Sequence, residues 1–215
     1  MFTSEFFLSL LITAVPAYLL GSVNFALVVS KLYANDDIRR HGSGNAGMTN
    51  ILRTYGKLPA FYTALGDFFK GVAAVFFGRY IFNLFGFTAF DGAYIGGIFV
   101  LLGHLFPVYF KFKGGKGVLT SFGALLVINP IAFCIIAAIC IPLVFIIKIV
   151  SLVSIIGAFL FPVLTYAMLA LKGRPAIIDT GFAALFCLII VFMHRQNIKR
   201  LLNGTEHKFG QPKNK

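Results

Sequence analysis

Long apolar runs alternate along this chain with short stretches rich in glycine, proline, asparagine and lysine. Breaking the chain at that punctuation predicts seven membrane-spanning helices, near 6–30, 58–79, 92–110, 117–128, 131–147, 152–171 and 177–193. Crossing a hydrocarbon core about 30 Å thick takes about 20 helical residues. The fourth segment is short, since 117–128 covers only about 18 Å at about 1.5 Å per residue. Asn129-Pro130 divides it from the fifth, because a residue before proline disfavours helical backbone. The first run, from Phe6 to Val29, follows Glu5 with no Lys or Arg ahead of it and is too long for a cleaved signal peptide. It is expected to remain as the first span.

Charge orients these spans. With seven of them, one membrane face collects Lys31, Arg39, Arg40, Arg53, Lys57, Lys111, Lys113, Lys116, Lys148, Arg195, Lys199, Arg200, Lys208, Lys213 and Lys215, which is 15 of the 19 basic residues. The other face receives Arg79, Lys172 and Arg174, accompanied by Glu5, Asp91 and Asp179. Basic loops stay in the cytoplasm, so the N-terminus is expected outside and the C-terminus inside. Joining 117–147 into one helix would change the parity and put the basic tail opposite the first two basic loops, against the same rule.

Composition agrees with a single transmembrane domain spanning 1–215. A hydrophobic content of 59%, 26 phenylalanines, 12% charged residues and a mean hydropathy of +0.89 exclude a soluble domain of this size. The net charge of +12 does not imply nucleic acid, because no soluble module is present to hold it. Cys134, Cys140 and Cys187 fall inside apolar runs with no paired spacing and no charged neighbour, and are expected to be small buried hydrophobes.

On the basic face lie three polar stretches that the apolar pattern does not explain. In GSGNAGMTN, residues 42–50, glycine backbone can turn its N–H groups into one concavity, the geometry that binds phosphate. Ser43, Gly44, Asn45, Thr49 and Asn50 line it, and Arg53 follows one helical turn after Asn50. Alone, such a cluster is usually a solvated linker. In GHLFPVYFKFKGGKG, residues 103–117, Gly114 and Gly115 allow close backbone approach and Lys116 adds a point charge for phosphate. This is not a Walker loop, which would need glycine at Phe110 and Ser or Thr at Gly117. Lys111 and Lys113 are expected to face headgroups or solvent, and His104 to make a structural hydrogen bond.

The third stretch begins at Met193 as MHRQNIKRLLNGTEHKFG. Binding to anionic lipid accounts for Lys199, Arg200 and Lys208. His194 and Asn197, three apart on a helix, share a face that could hydrogen-bond a hydroxyl or phosphate together. The Ser151–Ser154 turn lies on the same membrane face, so the four segments could converge on one site. Asp67 and Lys70, also three apart but within a span, fit a functional pair or a neutralising structural one, and take no catalytic role here. No carboxylate pair, Ser/His/Asp set or activated Cys accompanies these motifs, which points to direct transfer between bound substrates and not to a covalent enzyme intermediate.

Taken together, GSGNAGMTN, GHLFPVYFKFKGGKG and HRQNIKRLLNGTEHK resemble the three cytoplasmic motifs of the bacterial integral-membrane acyl-phosphate:glycerol-3-phosphate acyltransferases, the PlsY family. YLLGSVNF in the first span, DFFKG at 67–71 and SLVS at 151–154 extend the resemblance over essentially the whole chain. It implies transfer of a fatty acyl group from acyl phosphate to the 1-hydroxyl of glycerol 3-phosphate, giving lysophosphatidic acid and phosphate, at the cytoplasmic face of the bacterial inner membrane. It implies no cofactor or metal, no nucleic acid, a surround of membrane lipid, and allows functional coupling to the enzyme that produces acyl phosphate. Both substrates carry phosphate, which suits two glycine-rich loops and a basic face. The HxxxxD motif of the other acyltransferase class is absent: five residues after His41, His104, His194 and His207 stand Ala46, Tyr109, Lys199 and Pro212.

By the same resemblance Ser43, Thr49, Lys116, His194 and Asn197 are catalytic, while Gly44, Asn45, Asn50, Arg53, Gly114, Gly115 and Ser154 bind substrate. Lys116 would offset charge developing on the carbonyl oxygen or leaving phosphate. The hydroxyl proton goes to a substrate phosphate or to His194. Met193 stands where the family often has arginine, which touches an accessory contact. An organophosphate transporter is the competing function, favoured by Asp67 and Lys70 but not by polar motifs gathered at one face. A lipid-binding scaffold would explain the basic tail and leave GSGNAGMTN idle.

Overall fold

The computed structural model of the protein describes residues 3–87 and 89–208. Lys213 and Lys215 of the charge pattern lie outside the described residues. Every regular element among the described residues is helical: α1 (Ser4–Ser22), α2 (Phe25–Ala34), α3 (Met48–Tyr55), α4 (Lys57–Leu84), α5 (Ala93–Leu105), α6 (Val118–Ile128), α7 (Pro130–Ile147), α8 (Val150–Leu171), α9 (Ile177–Met193) and α10 (Arg195–Leu202). They group into two compact units, one ending at Ile128 and one beginning at Asn129.

Among the described residues, five segments are long and apolar enough to cross a membrane: Ser4–Ala34 across its break, Lys57–Leu84, Ala93–Phe110, Pro130–Ile147 and Val150–Leu171. The pair α9 and α10, bent by 60°, makes a sixth if it counts as one span. The short fourth segment appears as α6, an apolar helix of 11 residues.

In the first unit α5 sits centrally, packed on α1, α4 and α6. Small residues let backbones touch, as is common between helices in lipid. A side chain on Gly21 would run into the Val100 carbonyl, and one on Gly103 into the Tyr18 carbonyl, so α1 and α5 are in backbone contact.

Two expected spans differ. The first span is not continuous: it breaks between α1 and α2 at Val23 and Asn24, where Asn24 caps α2 by accepting from the Leu27 N–H. The second span runs to Leu84 instead of ending at residue 79. There the Arg79 guanidinium reaches Asp91 at 2.7 Å and the Val127 carbonyl at 3.0 Å, so its charge is satisfied by protein and does not end the helix. The third span keeps its expected bounds as Ala93–Phe110, with α5 ending at Leu105 and Val108–Phe110 forming a 3₁₀ turn after Pro107.

In the second unit α8 packs between α7 and α9, with the Phe161 and Phe186 rings 5.9 Å apart. Asn129 caps α7 through the Ala132 N–H, with Pro130 in the first turn where its missing N–H costs nothing. The cysteines depart from expectation: Cys187 is buried, Cys140 is half-buried and Cys134 is exposed. An exposed apolar side chain on a spanning helix faces hydrocarbon, so no burial in protein is needed there.

Candidate functional site

The stretch 42–50 folds as a tight loop leading into α3, and Asn50 holds it together. Its side-chain oxygen accepts from the Ser43 N–H at 3.0 Å, and its amide nitrogen donates to the carbonyls of Ile38 at 3.2 Å, His41 at 3.0 Å and Asn45 at 3.0 Å. A buried amide thereby replaces the hydrogen bonds that the loop backbone cannot make with itself. Gly42, at φ +57°, has no room for a side chain because Asn50 Oδ1 occupies that space. The result exposes Ser43 and Gly44, leaves Asn45 and Thr49 half-buried, and puts Arg53 exposed on α3.

An acidic pair flanks the loop. The Asp37 N–H and the His41 ring, 2.5 Å from Asp36 Oδ2, hold the Asp36 carboxyl below its ordinary range. Arg39 does the same for Asp37 through bonds of 2.7–3.1 Å. The free edge of the Arg39 guanidinium then donates to the carbonyls of Phe110 and Lys113, both at 3.0 Å. This clamp ties the first loop to the segment leading into GGKG.

That segment folds back along the end of α5. The Gly114 N–H donates to Leu105 O at 3.1 Å and the Gly115 N–H to His104 O at 3.2 Å. Gly115 is wedged: a Cβ there would stand 2.5 Å from Ala46 O and would run into His104 Nε2. Gly114 likewise leaves no space beside the His104 carbonyl. The two glycine-rich loops therefore share a wall within the first unit, and half-buried Lys116 follows at once from that wall. Lys111 and Lys113 are exposed, as expected.

The second unit contributes a different kind of site. His194 closes α9 at the bend into α10, buried, with Nδ1 2.8 Å from Ile190 O. A carbonyl only accepts, so Nδ1 carries a proton in this contact. Asn197, also buried, donates to Glu206 at 2.6 Å. Glu206 further accepts from Ser151 at 2.8 Å and Arg200 at 2.6 Å. Burial raises the pKa of this carboxyl, but the bonds from Arg200, Asn197 and Ser151 outweigh it and leave the pKa lowered. Ser154 turns its hydroxyl back to Val150 O at 2.8 Å.

Sequence reasoning passed over Arg39, Asn24, Glu206 and the partners of His104. Glu206 stood inside the quoted third motif; its spacing from Asn197 and Arg200 on a short helix was the only available signal. No group of three His, Cys, Asp or Glu side chains suited to a metal comes together among the described residues.

Residues 11–204 match the family model described as glycerol-3-phosphate acyltransferase. The chain is 44% identical over 206 residues to a glycerol-3-phosphate acyltransferase of Clostridioides difficile (strain 630), covering 95% of this chain and 98% of that relative. It is 43% identical over 200 residues to one of Thermoanaerobacter sp. (strain X514), covering 93% and 96%. The fold is similar to the crystal structure of PlsY (YgiH), an integral membrane glycerol 3-phosphate acyltransferase, in its glycerol 3-phosphate form: TM-score 0.81 and 34% identity, over 94% of this chain and 96% of that one. Against the lysophosphatidic acid form the TM-score is 0.79 at 33% identity.

Proposed function

The chain belongs to the glycerol-3-phosphate acyltransferase family, in its PlsY form, and from that premise we propose that it moves a fatty acyl group from acyl phosphate to the 1-hydroxyl of glycerol 3-phosphate. The products are lysophosphatidic acid and inorganic phosphate. The hydroxyl oxygen bonds to the acyl carbon, the bond from that carbon to the phosphate oxygen breaks, and phosphate leaves with the electron pair. The hydroxyl proton passes to a phosphate oxygen of the substrates. His194 Nε2 is the enzyme base in the competing version.

The observation that carries this reading is the shared wall of the two glycine-rich loops, where Gly115 abuts Ala46 O and Arg39 bridges to Phe110 and Lys113. Two anion-seating loops in contact suit a reaction whose two substrates are both phosphates. In this reading Ser43, Gly44, Asn45, Thr49, Arg53, Gly114 and Gly115 seat phosphate oxygens, and Lys116 offsets charge developing on the carbonyl oxygen or leaving phosphate. Asn50 shapes the loop. Ser154, His194 and Asn197 of the second unit serve the same reaction.

Seven spans, with the N-terminus outside and the basic loops in the cytoplasm of a bacterial cell, form one transmembrane domain; the five long segments, short α6 and the bent α9–α10 pair support that topology. The membrane then delivers the acyl chain, and functional coupling to the enzyme that makes acyl phosphate follows naturally.

Incubating purified protein with acyl phosphate and glycerol 3-phosphate tests the reading. Phosphate release matched by lysophosphatidic acid is expected. No product, in an assay where a positive control works, removes it. Counterflow of labelled glycerol 3-phosphate in proteoliposomes without product would favour a transporter, although Asp67 and Lys70, the ions that suit one, are engaged by the backbone of the first span.

A further inference from the structure

Asp67, Lys70 and His104 are all buried and lie outside the loops to which the reaction is assigned above. In an unbroken helix the Phe25 N–H would donate to the Gly21 carbonyl, four residues back. Here an ion pair is inserted between them. Phe25 N–H donates to Asp67 Oδ1 at 3.4 Å, and Gly21 O accepts from Lys70 Nζ at 3.0 Å. Asp67 and Lys70 are themselves 2.8 Å apart, and Lys70 also donates to Val23 O at 2.8 Å. The ammonium thus sits at the C-terminal end of α1 and the carboxylate at the N-terminal end of α2, each matching the sign of the helix end. In a bilayer these backbone groups have no water to turn to, so each needs a partner within the protein.

The broken helix is connected to both glycine-rich loops. Asn24, in the break, donates to Ala46 O at 3.3 Å. Lys70 Nζ lies 2.9 Å from His104 Nδ1, which also stands 3.4 Å from Asp67 Oδ1, so the imidazole joins the ion pair. The Nε2 edge of that ring is what leaves Gly115 no room for a side chain, and the His104 carbonyl takes the Gly115 N–H. One charged cluster therefore reaches the first span, the Ala46 segment and the turn that presents Lys116.

We propose that Asp67, Lys70 and His104 are positioning residues of the acyl transfer, setting the Gly115–Lys116 turn against the Ala46 segment by holding the first span broken. The proposal rests on the function proposed above. The test compares wild type with Lys70→Met, His104→Ala and His104→Asn, each taken as the monodisperse fraction after purification. Two readouts are taken: kinetics with acyl phosphate and glycerol 3-phosphate, and amide hydrogen exchange over residues 42–50 and 113–117.

Lys70→Met and His104→Ala are expected to lower kcat/KM for glycerol 3-phosphate by about tenfold to a hundredfold per folded molecule. Exchange should quicken in those two segments while α8 keeps its protection. His104→Asn, whose side-chain oxygen takes the place of Nδ1 toward Lys70, should recover most of both. Wild-type kinetics and exchange in His104→Ala would overturn the proposal, as would a loss spread evenly over all helices that asparagine does not rescue. If Lys70→Met does not survive purification, the two His104 variants decide. If wild type makes no lysophosphatidic acid, the proposed function falls, and the exchange measurement still decides whether the cluster sets the loops.

Discussion

Asn50 and Glu206 are each the hub of a polar segment, one in each unit, and they work by opposite means. Asn50 is a neutral amide whose four partners are all backbone groups 5 to 12 residues upstream. Glu206 is a carboxylate whose partners are side chains on α8 and α10. The first device fixes a loop's own shape, and a neutral group does so at any pH. The second fastens a tail to helices, and its strength depends on charge.

The largest expected effect is on the charge that the first unit presents. Lys116→Ala should lower kcat by about a thousandfold while the purified protein keeps its thermal midpoint. A near-normal rate would remove Lys116 from the reaction and leave the glycine loops without their cation.

Next is Asn50→Asp, which keeps the shape but faces three carbonyls with a group that cannot donate. Buried partners left unsatisfied cost about 1–3 kcal/mol each, so turnover is expected to fall about a hundredfold, with faster exchange at the Ser43 amide. Unchanged exchange there would break the contrast between the two hubs.

Glu206→Gln should cost about tenfold, because the ion pair with Arg200 is lost and the new amide NH2 must face a donor, on Arg200 or on Ser151 and Asn197. The lowered pKa of Glu206 sets the sign with pH: its contribution is complete above the ordinary carboxylate range and is lost as pH falls through the folded value. Acidifying through the ordinary carboxylate range and below the folded Glu206 value should therefore release α10 and the tail, while the bond from the Ser43 amide to Asn50 involves no titrating group. Equal loss in both places would show that the two hubs do not differ. The smallest effect belongs to Ser154→Ala, expected within about threefold, since its hydroxyl already serves Val150 O within its own helix. A loss beyond tenfold would make it a substrate contact of the first rank.

Features written in local chemistry were legible from the chain. Asn129-Pro130 marks a break between the fourth and fifth segments, and the structure breaks there, between α6 and α7. The short α6 and the pairing of Asp67 with Lys70 three residues apart were visible in spacing alone. Asn50 was legible as important but not in its direction: a polar residue in a glycine-rich stretch looks like a ligand donor, and only the fold shows it turned inward. Arg79 looked like the end of a span because its partner Asp91 lies beyond a turn and Val127 lies further still.

The sequence by itself determined an all-helical membrane chain, the place of its polar loops between spans, and the family that those loops mark. Those follow from periodicity, length and residue type, which act over a few neighbours. Only the tertiary structure decided that the first span breaks at Val23 and Asn24, that His104 links that break to Gly115, and that Arg39 clamps one loop to the other. Each depends on groups 22 to 74 residues apart in the chain, brought together because a buried charge or an orphaned peptide group in a membrane must find its partner within the protein.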